Sequence, residues 1–151
     1  MGLNTLIICT DGSETAREAA VVGCGILQPA EKVVVATVVP WPDEMDVTGT
    51  GLAGGTVTPA QFADADRAAE TQGRRVVEET AAVLAPAPVE LQVLRGEAGP
   101  TLCDFAHEVS ADAIVMGSRG LGRIKRAVLG SVSDYVVRSA ACPVVISGPK
   151  D

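Results

Sequence analysis

Apolar residues along the chain fall into short, nearly continuous runs separated by amphipathic stretches. The first run is Leu3 to Thr10 (LNTLIICT), closed by Asp11-Gly12-Ser13. This pattern predicts a buried strand, a turn with a helix N-cap, and a helix from about Glu14 to Leu27. Lys32 to Val39 (KVVVATVV) is apolar and β-branched almost throughout, the mark of a strand covered on both faces of a parallel sheet, and Pro40 and Pro42 end it. Thr58-Pro59 reads as an N-cap followed by the first helical residue. Beyond it Phe62, Ala65, Ala69, Val76, Thr80 and Leu84 fall near one helical face until Pro86 and Pro88 stop the helix. Val89 to Leu94 (VELQVL) alternates like a half-exposed strand. Gly99-Pro100 opens a helix through about Val109, and Ala113 to Met116 (AIVM) is a third buried run. A helix near Ser131 to Ser139 and a strand from Pro143 to Ser147 follow.

Strands therefore alternate with helices, which implies parallel pairing with right-handed crossovers. The expected fold class is α/β, a doubly wound, Rossmann-like sheet of five parallel strands with helices on both faces. At 151 residues the chain fits one domain spanning 1–151. In such sheets ligands bind outside the carboxyl ends of the strands, where strand order reverses. Asp11, Val38 and Gly117 lie at those ends. Trp41 to Val57 holds Gly49, Gly51, Gly54 and Gly55 without sustained periodicity, so it reads as the longest loop and the mobile element.

Composition narrows this picture. Hydrophobic residues make up 47% of the chain and aromatics only 3%, a Val, Ala, Leu and Ile mixture that suits strands under small-faced helices. No stretch approaches the roughly twenty apolar residues of a membrane helix, and Met1 to Asp11 runs into a strand pattern without a basic flank or cleavage site. A cytoplasmic protein is expected. Cys9, Cys24, Cys103 and Cys142 are widely spaced among apolar or small neighbours, unlike zinc or thiol-redox pairs, and read as reduced and mostly buried. A net charge of -7 argues against nucleic-acid and anionic-membrane partners. Yet Arg119, Arg123, Lys125, Arg126 and Arg138 gather between Gly117 and Arg138, where Asp134 is the only acid. With exposed charges screened beyond about 8 Å, that local surplus can hold a small anion.

The chemistry-bearing stretch is Gly117-Ser118-Arg119-Gly120, followed after nine residues by Gly130-Ser131-Val132-Ser133. Phosphate oxygens need converging backbone N–H donors, and Gly117 and Gly120 can form such a cradle. Ser131, Val132 and Ser133 would add N–H groups and two hydroxyls at a helix N-terminus, where the dipole favours negative charge. Plain alternatives stand beside these readings. The glycines can be ordinary turn residues, and Asp11 can start the first helix through an Asx turn. Ser131 can be a simple N-cap, with Asp134 resembling a capping box.

Asp11-Gly12-Ser13 after the first strand, Gly-x2-Gly-x9-Gly-Ser from Gly117 to Ser131, and the closing SVSDYVVRSAACPVVI together resemble a universal stress protein, over essentially the whole chain. The glycine motif is similar to that of the ATP-binding branch. The resemblance implies a fold of the adenine nucleotide alpha hydrolase type and ATP, with Mg, as ligand. It implies that Asp11 and Val38 contact the adenine and ribose end, that Met116, Gly117 and Gly120 line the ribose and inner phosphates, and that Gly130, Ser131 and Ser133 hold the outer ones, with Thr10, Gly12, Ser13, Ser118, Arg119 and Val132 also among the nucleotide-binding residues. It also implies a homodimer through the C-terminal strand, and a regulatory stress-response role with protein partners that the sequence does not identify.

Other signals carry less. Gly49-x-Gly51-x-x-Gly54 matches a dinucleotide fingerprint only as a string, since no strand leads into it and no helix starts at its end. No P-loop lysine motif and no Gly-x-Ser-x-Gly elbow is present, and His107 beside Glu108 lacks partners for a metal or a catalytic role. A phosphoacceptor domain would need an Asp after the third strand, where Leu94-Arg95-Gly96 stands. Two alternatives to a nucleotide-dependent regulator remain: slow ATP hydrolysis or self-phosphorylation at Ser131 or Ser133, and a nucleotide-free dimeric scaffold.

Overall fold

A computed structural model describes residues 2–27, 30–42, 58–84, 88–118 and 129–148. Five strands form one sheet: β1 (Leu3–Cys9), β2 (Ala30–Val39), β3 (Val89–Arg95), β4 (Ala113–Gly117) and β5 (Val144–Ser147). They are parallel and lie in the order β3-β2-β1-β4-β5. The chain thus moves outward from β1 to β3 and then restarts on the other side of β1, which opens a crevice between the ends of β1 and β4.

Among the described residues four helices cover the sheet: α1 (Glu14–Ile26), α2 (Pro59–Ala82), α3 (Ala98–Glu108) and α4 (Ser131–Ser139). Because consecutive strand residues point to opposite faces, a strand covered on both sides must be apolar throughout, which is why the central runs are continuous. Leu6, Ile8, Val33, Val35 and Val115 face one way and pack under Ala19 and Ala20 of α1 and Val77 of α2. Ile7, Val34, Ala36, Ile114 and Met116 face the other way and meet Leu102 and Ala106 of α3 and Val136 of α4. Each fully buried aliphatic side chain contributes roughly 1.5–3 kcal/mol. Strands β3 and β5, at the edges of the described sheet, are half-buried, β3 as its alternating pattern suggests.

Helix ends follow local chemistry. Ser13 caps α1, its Oγ accepting from Ala16 N–H at 3.1 Å. Thr58 and Gln61 form a reciprocal capping box at α2. Helix α3 ends through a left-handed Ser110 (φ 52°), with Ser110 N–H donating to His107 O and Ala111 N–H to Ala106 O. The N-cap of α4 is Gly130, with no side-chain bond, so Ser131 is the first helical residue and the capping reading of Ser131 is corrected. Asp134 N–H donates to Gly130 O, the first bond inside the helix. All four cysteines are free, but only Cys9 is buried; Cys24, Cys103 and Cys142 are partly exposed. Arg95, at the end of β3, ties the sheet to α2 through Asp66 (3.2 Å) and Glu70 (3.1 Å).

Candidate functional site

The β1–α1 turn is fixed by short polar contacts. Thr10 N–H donates to Ala36 O at 2.9 Å, and Thr10 Oγ1 accepts from Gly12 N–H at 3.1 Å. Gly12 sits at φ +82°, a conformation that side-chain-bearing residues rarely take, and the Arg17 guanidinium donates to its carbonyl at 2.7 Å. Asp11 Oδ1 accepts from Ser13 N–H at 3.0 Å, the Asx turn of the plainer reading. The same carboxylate is exposed and lines the rim of the crevice.

Across the switch point, Met116 and Gly117 end β4. A side chain on Gly117 would press on the first turn of α1, where Thr15 Cγ2 stands 3.2 Å and Thr15 O 3.3 Å from the place of a Cβ. Ser118 is buried; its N–H donates to Ser147 O, and its carbonyl accepts both Gly130 N–H (2.7 Å) and Ser133 Oγ (2.9 Å). Ser118 and Gly130, which flank residues 119–128, are thereby stapled together. Ser133 Oγ also points to Gly130 O at 3.0 Å, so this hydroxyl is turned into the protein. Ser131, by contrast, is exposed. Arg119 and Gly120, with Arg123, Lys125 and Arg126, lie outside the described residues, as does 43–57 of the glycine-rich loop.

Together these ends enclose a cleft of about 620 Å³. Of the residues expected from sequence, Thr10, Asp11, Val38, Met116, Gly117, Gly130, Ser131, Val132 and Ser133 line it, while Gly12, Ser13 and Ser118 are not part of its lining. Sequence reasoning missed Gln72, Gly73 and Val76 of α2 and Ala98 and Leu102 of α3, which form the side walls. Gly73, a glycine inside a 24-residue helix, was the available signal of close approach there.

The lining is largely apolar, and Asp11 is the only charged side chain among its described residues. Cys9 forms part of the floor; burial pushes its thiol up to about 12, with Cys103 and Cys142 adding to the shift, so it stays protonated and is no nucleophile. His107 is exposed in the last turn of α3, away from the cleft lining. Among the described residues no group of three His, Cys, Asp or Glu side chains converges to hold a metal, and no helix is long and apolar enough to cross a membrane. What the arrangement can do is bind: an apolar slot beside a carboxylate at one end, and a helix N-terminus without a side-chain cap at the other.

Comparison with known proteins agrees with the fold. Universal stress protein YxiE of Bacillus subtilis is 30% identical over 148 residues, covering 95% of this chain and 97% of that protein. The universal stress protein UspA structure from Lactobacillus plantarum shares the fold, with a TM-score of 0.70 at 21% identity, over 97% of this chain and 98% of that one. A universal stress protein crystallised in complex with cAMP superposes with a TM-score of 0.64 at 25% identity, over 97% of this chain and 98% of its own. The model of the universal stress protein family matches residues 2–147, which takes in every strand and helix described above, and the chain belongs to that family.

Proposed function

We propose that the chain binds an adenine nucleotide, ATP with Mg, in the cleft at the strand-order reversal and acts as a nucleotide-dependent regulator in the stress response. The observation that carries this reading is the N-terminus of α4, whose N-cap, Gly130, has no side chain to cap it and whose first residues line the same cleft as Asp11 and Val38. A cleft of about 620 Å³ suits a mononucleotide, and a relative of the same fold is in complex with cAMP. In this reading Asp11 and Val38 take the adenine and ribose end. Met116, Gly117 and Gly120 lie along the ribose and inner phosphates, and Gly130, Ser131, Val132 and Ser133 meet the outer phosphates. The phosphates bring Mg with them. Ser133 contributes its N–H, since its hydroxyl is engaged with Ser118 O and Gly130 O. Arg119 and the neighbouring basic residues add a positive field for the anion.

The protein is proposed to be cytoplasmic and a homodimer through β5, an edge strand that among the described residues pairs only with β4. Sedimentation as a monomer at micromolar concentration would remove the dimer. Calorimetric titration of Mg-ATP, AMP and cAMP into nucleotide-free protein, beside a Gly120→Val, Gly130→Val variant, tests the site. Saturable binding lost in a folded variant is expected. No binding of any of the three by wild type overturns the reading.

A further inference from the structure

Thr80 stands on the apolar face of α2 by sequence, yet its hydroxyl lies 2.9 Å from Thr10 Oγ1 in a contact that spans 70 residues and is fully buried. Helical threonines commonly satisfy themselves by bonding back to the preceding turn, as Thr71 does in the same helix by donating to Arg67 O at 2.8 Å. Thr80 instead reaches the β1–α1 turn. The partner it reaches is the hydroxyl that accepts Gly12 N–H at 3.1 Å and so shapes the turn bearing Asp11. One turn earlier on α2, Val76 presses on the same place: its Cγ2 is 3.1 Å from where a Cβ on Gly12 would lie. Helix α2 therefore grips the β1–α1 turn at two successive turns, once by packing and once by a hydroxyl pair. Thr80 itself is not among the residues lining the cleft.

We propose that Thr80 is a positioning residue: through Thr10 it holds the β1–α1 turn in the geometry that presents Asp11 to the cleft, so ligand affinity depends on a side chain that touches no ligand. The affinity consequence rests on the nucleotide reading; the hold on the turn does not. Two substitutions separate hydroxyl from volume. Thr80→Val keeps the shape and removes the hydroxyl, whereas Thr80→Ser keeps the hydroxyl and removes the methyl group. Amide hydrogen exchange at Gly12 is followed by NMR in the ligand-free proteins, and Mg-ATP is titrated into each.

The expected result is that Thr80→Val speeds Gly12 exchange and weakens Mg-ATP binding about five- to tenfold, the worth of one hydrogen bond. Thr80→Ser keeps both at wild-type values although it lowers the melting temperature. A threonine that acts by packing alone predicts the reverse, with the serine variant, which opens a cavity, the more damaged. Wild-type Gly12 exchange in Thr80→Val, or equal losses in both variants, overturns the proposal. Should wild type bind no nucleotide, the functional reading fails while Gly12 exchange still decides on Thr80.

Discussion

Truncating Ser133 to alanine tests how the N-terminus of α4 is built. The residue is 2% exposed, and its single hydroxyl hydrogen is shared between Ser118 O at 2.9 Å and Gly130 O at 3.0 Å. Neither carbonyl depends on it alone: Ser118 O also accepts Gly130 N–H at 2.7 Å, and Gly130 O accepts Asp134 N–H at 2.9 Å. The substitution therefore strands no buried polar group, and the expected cost is one net hydrogen bond, about 1 kcal/mol, rather than the larger penalty of an unsatisfied carbonyl. For a chain of this size that lowers the melting temperature by about 2–4 °C. Urea and thermal unfolding of the ligand-free protein measure it. Because the hydroxyl faces inward, nucleotide affinity should change by less than about threefold, since the backbone donors of the helix stay in place. A loss of more than about 3 kcal/mol, or binding abolished in a folded Ser133→Ala protein, would refute the inward assignment. So would phosphate transfer to Ser133, whose oxygen must leave both carbonyls to act as acceptor; any such transfer should favour the exposed Ser131.

Two glycines of α1 should respond oppositely to alanine. At Gly23 a Cβ would fall 2.4 Å from Cγ1 of the fully buried Val115, and a loss of about 1–3 kcal/mol is expected, whereas at Gly25 nothing stands within 4 Å and a gain of about 0.5–1 kcal/mol is expected in urea unfolding. Ser110→Gly should stabilise the protein by about 0.5–1 kcal/mol, because the residue at φ 52° ends α3 in a left-handed conformation; no gain in denaturant midpoint would argue against strain there. The Cys9 thiol, pushed up to about 12 by burial, keeps its proton in the folded state while the unfolded chain loses it above about pH 8.5. Stability should therefore fall as pH rises from there, by up to about 1.4 kcal/mol per pH unit, and Cys9→Ala should flatten that slope between about pH 9 and 11.

The elements were legible because hydrophobic periodicity and punctuation agreed. Pro40 and Pro42 mark the end of β2, Thr58-Pro59 the start of α2, and Ser13 the cap of α1. The cleft was legible through topology, since Asp11, Val38 and Gly117 had to meet once the strands were parallel and the order reversed. Its side walls were not, because the face of α2 that turns Gln72 and Val76 toward the cleft depends on how the helix packs across β2 and β3. Hydroxyl partners were also out of reach. A motif shows that Ser133 stands near a helix start, but whether its oxygen faces a ligand or Ser118 O is settled by packing. Thr80 was invisible for the same reason, since an apolar helical face accepts a threonine whether or not its hydroxyl has a task.

These hydroxyls share a consequence for how the cleft can bind. Thr10 is paired with Thr80 and Gly12 N–H, Ser13 with Ala16 N–H, and Ser133 with two carbonyls. Each stabilises a turn or helix start around the cleft, so diverting it to a ligand would cost about what the lost bond contributed to the fold. A phosphate entering the site is better served by the backbone N–H donors that a helix start leaves without intrahelical partners, here behind an N-cap glycine with no side chain of its own. The spacing of Gly130 and its neighbours then matters as backbone geometry more than as a set of side-chain ligands, and substitutions that move the backbone should damage binding more than those that delete a hydroxyl.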